Sequence, residues 1–550
     1  MGQSKFTIKP ILFAAAFLGA AVTQGCNTAP TTSNDETQTA VSPSYQPSDM
    51  LSKTLPEIAA ALRAGRITSE ELTQLYLDRI EAIDRAGPRL QSVLALNPDA
   101  LAQARAADAQ RGAGETLGLL HGVPILLKDN IESRDNLATT AGALALKDNI
   151  TGRDAPLTAE LREAGAIILG KTNLSQWANF RSGNSNSGWS ALGGQTRNPH
   201  SLDRNPCGSS SGSGSAIAAS LAAGAVGTET NGSIICPSNV NGIVGFKPTV
   251  GLVSQEGIIP ISATQDTAGP MTKSVRGAAI MLAALDNVDV DYSAQLDAQS
   301  LTGTRIGVAR FAQGSNALIT EKFDAAINVL KAQGAEIIEI EEFDRGVKNY
   351  GRKSRAVLEY EFKDGLNKYL AATPAIVKTR TLEELIAFNK NNADVELALF
   401  DQSIFESSQA RGPLTEPDYI SARDEIVLAT GKNGIDRLLS EHNVEIIISP
   451  SGPLAPRFDP VNGDVWPAWA GAGALAAVAG YPHLSVPMGT VRNIPIGLSF
   501  IGSAGEDAKV LSFGYAYEQA SGLRTEPKYL KTVEDDPKIF EALSNKLNAN

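Results

Sequence analysis

The chain has 550 residues, 43% of them hydrophobic and 20% charged, with a formal net charge of −12. This is globular composition with ample chain for a large core. An acidic balance without a basic run argues against nucleic-acid binding. Three cysteines without a C-x-x-C pair and four scattered histidines argue against a metal site, and no cofactor is expected.

Lys5 and Lys9 precede an apolar, small-residue run, Ile11–Val22. It is too short for a membrane span and has the form of a secretory leader, so residues 1–25 are expected to be a signal peptide. Gly25-Cys26 resembles a bacterial lipobox, which would make Cys26 the lipidated first residue and membrane tether of an exported, periplasmic protein. Thr23 and Gln24 depart from that pattern. Residues 26–50, rich in Thr, Ser, Pro, Gln and Asn, read as a disordered tether.

Thr54–Ala64 reads as a helix, with Pro56 near its start and Gly65 beyond its end. Thr68-Ser69-Glu70-Glu71 is a capping box that opens a second helix to about Asp84. Ser92–Leu96 is strand-like, and Asn97-Pro98 starts an alanine-rich helix to about Arg111. Val123–Leu127 is short and wholly apolar, as a buried strand is, and Lys128 stands at its end. Desolvation there would lower the lysine's pKa and free a neutral amine to act as a base. Reaching water or pairing with Asp129 is the bland alternative. Lys171, after Ala166–Gly170, and Lys247, after Ile243–Phe246, are placed similarly, so burial alone leaves three candidates. Ala155–Ala164 is a helix and Ala166–Leu169 a strand. Asn184–Asn198 reads as a largely solvated polar loop.

The stretch Cys207–Pro248 carries two Ser- and Gly-rich loops around an apolar segment: Gly208–Ser215, then Thr228–Ser233. Small residues let backbone N–H groups approach a ligand closely. A hydroxyl among such amides has the parts of a nucleophile beside an oxyanion hole. A flexible linker is the alternative, but helix- and strand-like segments flank both loops. Gly208–Gly212 also fits G-x-S-x-G, which would make Ser210 the nucleophile with His442 or His483 as its base. The polar, proline-broken text before it, Asn198–Pro206, lacks the strand that such an elbow needs. Cys207 and Cys236 flank the loops; a bridge is allowed, and buried free thiols are the default expectation.

Further on, Arg305–Ala309, Glu321–Gln333 and Ala335–Glu341 read as a β-α-β unit of a parallel sheet. Residues 343–442 are helical and charged. Val444–Ser449 is a buried strand, and Gly471–Gly480 and Asp507–Gln519 are helices.

Gly208–Ser215, Gly227–Pro237 and Gly242–Thr249 together resemble the amidase signature family, and the resemblance runs from about Leu55 to about Gln519. It implies an α/β fold: one large domain, 51–525, with a twisted mixed β-sheet covered by helices on both sides, followed by a C-terminal tail, 526–550. It implies a Ser–cis-Ser–Lys triad in which Ser233 is the nucleophile, Ser209 the bridging serine and Lys128 the base. The oxyanion hole would be the N–H groups of Thr230, Asn231, Gly232 and Ser233. Lys171 and Lys247 are left as structural. The Thr264–Met271 segment is implied to be a turn supporting the catalytic loops, with Asp266 a structural acceptor. Residues 343–442 are implied to shape substrate choice.

Departures from the family pattern are Asn231-Gly232 for Gly-Gly, Ile235 for arginine, and Ser211 and Ser213 in the first loop. With TETNGSIICPSNVNGIVGFKP, QDTAGPM and AGYPHLSVPMG, these are similar to bacterial peptide amidases, which release ammonia from C-terminal amides of peptides. The expected partner is a small-molecule or peptide amide. An aryl acylamidase or esterase using the same site, and an inactive amidase-fold binding protein, are the alternatives. Oligomeric state is not readable from the sequence.

Overall fold

The computed structural model describes residues 47–544 apart from 116, 117, 287 and 289. The leader-like run, Cys26 and the tether up to residue 46 lie outside the described residues, whereas the expected tether's last residues open a 3-10 helix, Pro47–Ser52, with Met50 buried in the core, which corrects the expectation of disorder there. The described residues form one compact unit.

Among the described residues thirteen strands form: β1 (Val93–Leu96), β2 (Pro124–Lys128), β3 (Ile167–Thr172), β4 (Trp189–Ser190), β5 (Gly194–Gln195), β6 (Gly224–Glu229), β7 (Val244–Lys247), β8 (Thr267–Thr272), β9 (Arg305–Ala309), β10 (Glu336–Ile340), β11 (Ile446–Pro450), β12 (His483–Val491) and β13 (Ile494–Ile501). Strands β4 and β5 pair alone; the other eleven form one sheet in the order β1-β3-β2-β6-β8-β7-β12-β13-β11-β9-β10. The sheet is mixed. Strand β2 runs parallel to β3 and β6, and β9 parallel to β10 and β11, while β8, β12 and β13 pair antiparallel with their neighbours. Helices pack around it, as the resemblance implies.

The early helices follow their caps. Thr68 Oγ1 accepts from the Glu71 N–H while the Glu71 carboxylate accepts from the Thr68 N–H, and the helix Ser69–Arg79 starts there. The β9–helix–β10 unit forms as expected, with its helix at Ala317–Ala332.

Three segments differ from the sequence reading. Thr267–Thr272 is a central strand rather than a turn. A Cβ at Gly269 would lie 2.1 Å from the Phe246 carbonyl oxygen, so its glycine admits close backbone approach. The first Ser/Gly loop is short, because the helix Ser211–Ala218 begins inside it. The polar stretch 184–198 is mostly turned inward: Asn186, Ser187, Ser190 and Asn198 are buried. Their partners compensate desolvation. Ser187 donates to Asp464, Asn186 to the Asp459 carbonyl, Ser190 to Asn173 and Asn198 to the Val240 carbonyl.

Candidate active site

Strands β2 and β6 lie side by side and parallel, with Leu127 level with Val226. Their carboxyl ends therefore emerge together, which is where open α/β sheets bind ligands. Lys128 is the last residue of β2 and is fully buried. Its Nζ lies 2.7 Å from Ser209 Oγ, 2.8 Å from Thr228 Oγ1 and 3.2 Å from the Thr228 carbonyl oxygen. Asn130 Nδ2 donates to Thr228 Oγ1 at 3.0 Å. Burial drives the Lys128 pKa down to about 7, against the opposing pull of Asp266 and Glu229.

Ser209 follows a cis peptide bond with Gly208 and is fully buried. The next residue ties the two loops together, since the Ser210 N–H donates to the Ser233 carbonyl at 3.1 Å. Gly232 holds φ +84°, a left-handed conformation that favours glycine, and it turns the chain into Ser233. Glu229 Oε2 accepts the N–H groups of Ile234 (2.7 Å) and Ile235 (3.0 Å), fixing the turn from its far side. The N–H groups of Asn231, Gly232 and Ser233 have no protein acceptor among the described residues. Asn231 is exposed on this turn. Lys128 and Ser209 are thus in contact, whereas no hydrogen bond joins Ser209 Oγ to Ser233 Oγ in this structure.

The competing lysines are placed elsewhere. Lys171 Nζ donates to the Ile131 carbonyl and, at 2.9 Å, to Thr139 Oγ1. Lys247 Nζ donates to the Pro248 carbonyl at 2.9 Å. Burial lowers both pKa values to about 8. Of the three, Lys128 alone touches a serine of the two loops. The elbow arrangement is absent among the described residues: Ser210 Oγ donates to the Thr228 carbonyl, and His483 Nε2 pairs with Ser499 Oγ inside the core. Asp266 is an acceptor, as expected, taking Thr230 Oγ1 (2.5 Å), the Ile261 N–H (2.7 Å) and the Ser262 N–H (2.9 Å).

Cys207 and Cys236 are joined in a disulfide with Cα atoms 5.9 Å apart, which corrects the expectation of free thiols. The bond closes the segment that holds both serine loops, and its sulfurs sit among Val240, Ala455 and Ile494. A cavity of about 210 Å³ opens at Ser209, Thr228 and Thr230. Ile258–Ile261 form one apolar wall, and the helix Tyr350–Ala371 lines another part with Glu361, Asp364 and Tyr369. Thr228 and Asn130 are functional candidates that the sequence reading did not single out. The signal was their adjacency to Glu229-Thr230 and to Lys128.

The amidase family model matches residues 71–511. The chain belongs to the amidase signature family. It is an enzyme that hydrolyses amide bonds. This amidase is 36% identical over 501 residues to a probable amidase of Arabidopsis thaliana, covering 87% of this chain and 91% of that one. Among solved structures it is similar to native peptide amidase from Stenotrophomonas maltophilia, at 43% identity and a TM-score of 0.82 over 87% of this chain and 99% of the other. It is also similar to the peptide amidase PAM in complex with the competitive inhibitor chymostatin, at 44% identity and a TM-score of 0.84 with the same coverage.

Proposed function

We propose that this amidase releases ammonia from C-terminal amides of peptides, with Ser233 as nucleophile, Ser209 as proton relay and Lys128 as base. The observation that carries the reading is the 2.7 Å contact of a buried, near-neutral Lys128 with Ser209. A neutral amine has two N–H bonds and one lone pair. The Thr228 carbonyl and hydroxyl oxygens stand at hydrogen-bond distance to accept both N–H bonds, which leaves the lone pair for the Ser209 hydroxyl.

Ser209 then gives its proton to Lys128 while taking one from Ser233. Ser233 attacks the amide carbonyl, and the free N–H groups of Asn231, Gly232 and Ser233, with that of Thr230, stabilise the oxyanion. The relay returns a proton to the nitrogen, ammonia leaves, and water cleaves the acyl-enzyme to the free acid. The peptide substrate is supported by 44% identity to the peptide amidase PAM in complex with the competitive inhibitor chymostatin.

Ammonia release from a panel of blocked dipeptide amides, with Ser233→Ala as control, tests this reading. Release that vanishes in the variant supports it. Turnover of anilides or esters but not of peptide amides would replace the substrate class.

Export, with Cys26 as a lipid tether, is a further part of this reading. It is motivated by the leader-like Ile11–Val22 and suits the Cys207–Cys236 disulfide, since oxidising compartments preserve such bonds. Fractionation and mass analysis of the mature N-terminus decide it: an unprocessed Met1 on soluble protein would reject export.

A further inference from the structure

The cavity beside Ser209 has an uneven charge. Its lining includes three carboxylates, Asp266, Glu361 and Asp364, and no lysine or arginine. Glu361 is buried and Asp266 half-buried, and both are held by hydrogen bonds. Glu361 accepts from Ser262, Thr264 and the Tyr419 hydroxyl, so its place in the cavity wall is fixed. Asp364 lies one helical turn further along the same helix, closer to solvent. Its ion-pair partner is Lys368, which is 74% exposed and four residues on. Such a surface pair is weak and water-screened, so Lys368 can release Asp364 to a better-buried cation at small cost. Lys128 stands behind Ser209 and Thr228 and serves the chemistry.

A second observation is independent of the carboxylates. Asn130 is buried and lines the same cavity, and its Oδ1 has no hydrogen-bond partner among the described residues. A buried amide oxygen without a partner is costly unless a ligand supplies a donor. The remaining wall, Ile258–Ile261 with Leu414, is apolar. Apolar walls with acidic ends suit a side chain that has a methylene stem and a cationic, N–H-rich head.

We propose that this cavity selects peptide amides whose acyl portion carries a cationic side chain, arginine or lysine, and that Asp364 is the specificity-determining residue that receives the cation. The proposal rests on the amidase reading above for the orientation of the substrate. It concerns binding, so it can be tested apart from turnover.

The test uses full-length Ser233→Ala protein as a binding trap. Dissociation constants are measured by calorimetry at low salt for blocked dipeptide amides ending in arginine, norleucine and glutamate. Arginine amide should bind about tenfold tighter than norleucine amide, the scale of one charge-assisted contact, and glutamate amide should bind weakest. In Ser233→Ala with Asp364→Asn the arginine-to-norleucine ratio should fall towards one, and in Ser233→Ala with Asp364→Lys the order of arginine and glutamate should reverse. Equal binding of arginine and norleucine amides, or a ratio that Asp364→Asn leaves unchanged, would overturn the proposal. Selective binding without turnover by the wild type would sustain the cavity assignment and defeat the reaction assignment. Turnover without selectivity would do the reverse.

Discussion

Thr228 presents both its carbonyl and its hydroxyl oxygen to Lys128 Nζ, at 3.2 and 2.8 Å. In the proposed mechanism this makes Thr228 a positioning residue, because it fixes where the lysine's lone pair can point. Thr228→Val removes one acceptor and also leaves Asn130 Nδ2 without its partner. The expected result is a fall in kcat of about tenfold, the scale of one hydrogen bond to a charged or reacting group, with KM little changed. Thr228→Ser should restore most of the rate. A purely steric role would be rescued by Val and not by Ser.

Lys128 should control the acid side of the pH profile. With a pKa of about 7, kcat/KM for an uncharged peptide amide should fall about tenfold per pH unit below that value and level off above it. Lys128→Met should lower kcat by about three orders of magnitude or more, within the range for loss of a general base. If Lys128→Met had a mild effect, the base would have to be sought at Lys171 or Lys247. A steady-state pH series on wild type and variant checks both statements.

The same burial has a consequence for stability. Lys128, Lys171 and Lys247 have folded pKa values of about 7, 8 and 8, below the ordinary 10.5. Between those values and about 10 the unfolded chain binds more protons than the folded one, so stability rises with pH across that window. Denaturant midpoints should increase from pH 7 to pH 9.5, and the slope should be shallower in Lys171→Met. A midpoint that falls over this range would contradict the buried-lysine account.

The disulfide predicts a stability change of another kind. Cys207 and Cys236 are 29 residues apart in sequence, and closing a loop of that length constrains the unfolded chain by about 3–4 kcal/mol. Cys207→Ser with Cys236→Ser should lose roughly that much in denaturant titration. A loss below about 1 kcal/mol would mean that the bridge is incidental to the serine loops.

Much of the candidate site was legible because its parts are local. Lys128 stands at the end of an apolar run, Ser209 and Ser233 lie in Gly-rich loops, and the family motif chose among lysines that burial could not separate. The illegible parts depend on distant partners. Ser187 reads as a loop serine until Asp464, 277 residues away, is folded against it. Thr267–Thr272 lacks a strand's alternation because it is buried on both faces and crowded by Phe246. Cys207 and Cys236 approach only because the helix Ser211–Ala218 and strand β6 fold the chain back between them. The cavity's acidic wall comes from the helix Tyr350–Ala371, whose charges look like an ordinary solvated face in sequence.

The central claim is that Ser233 carries the acyl group. Rapid quenching during turnover of an activated ester, followed by peptide mapping with mass spectrometry, reads this directly. The account predicts the acyl mass on the peptide containing Ser233, and its absence in Ser233→Ala. Acylation at Ser209 or Ser210, or full turnover by Ser233→Ala, would contradict it.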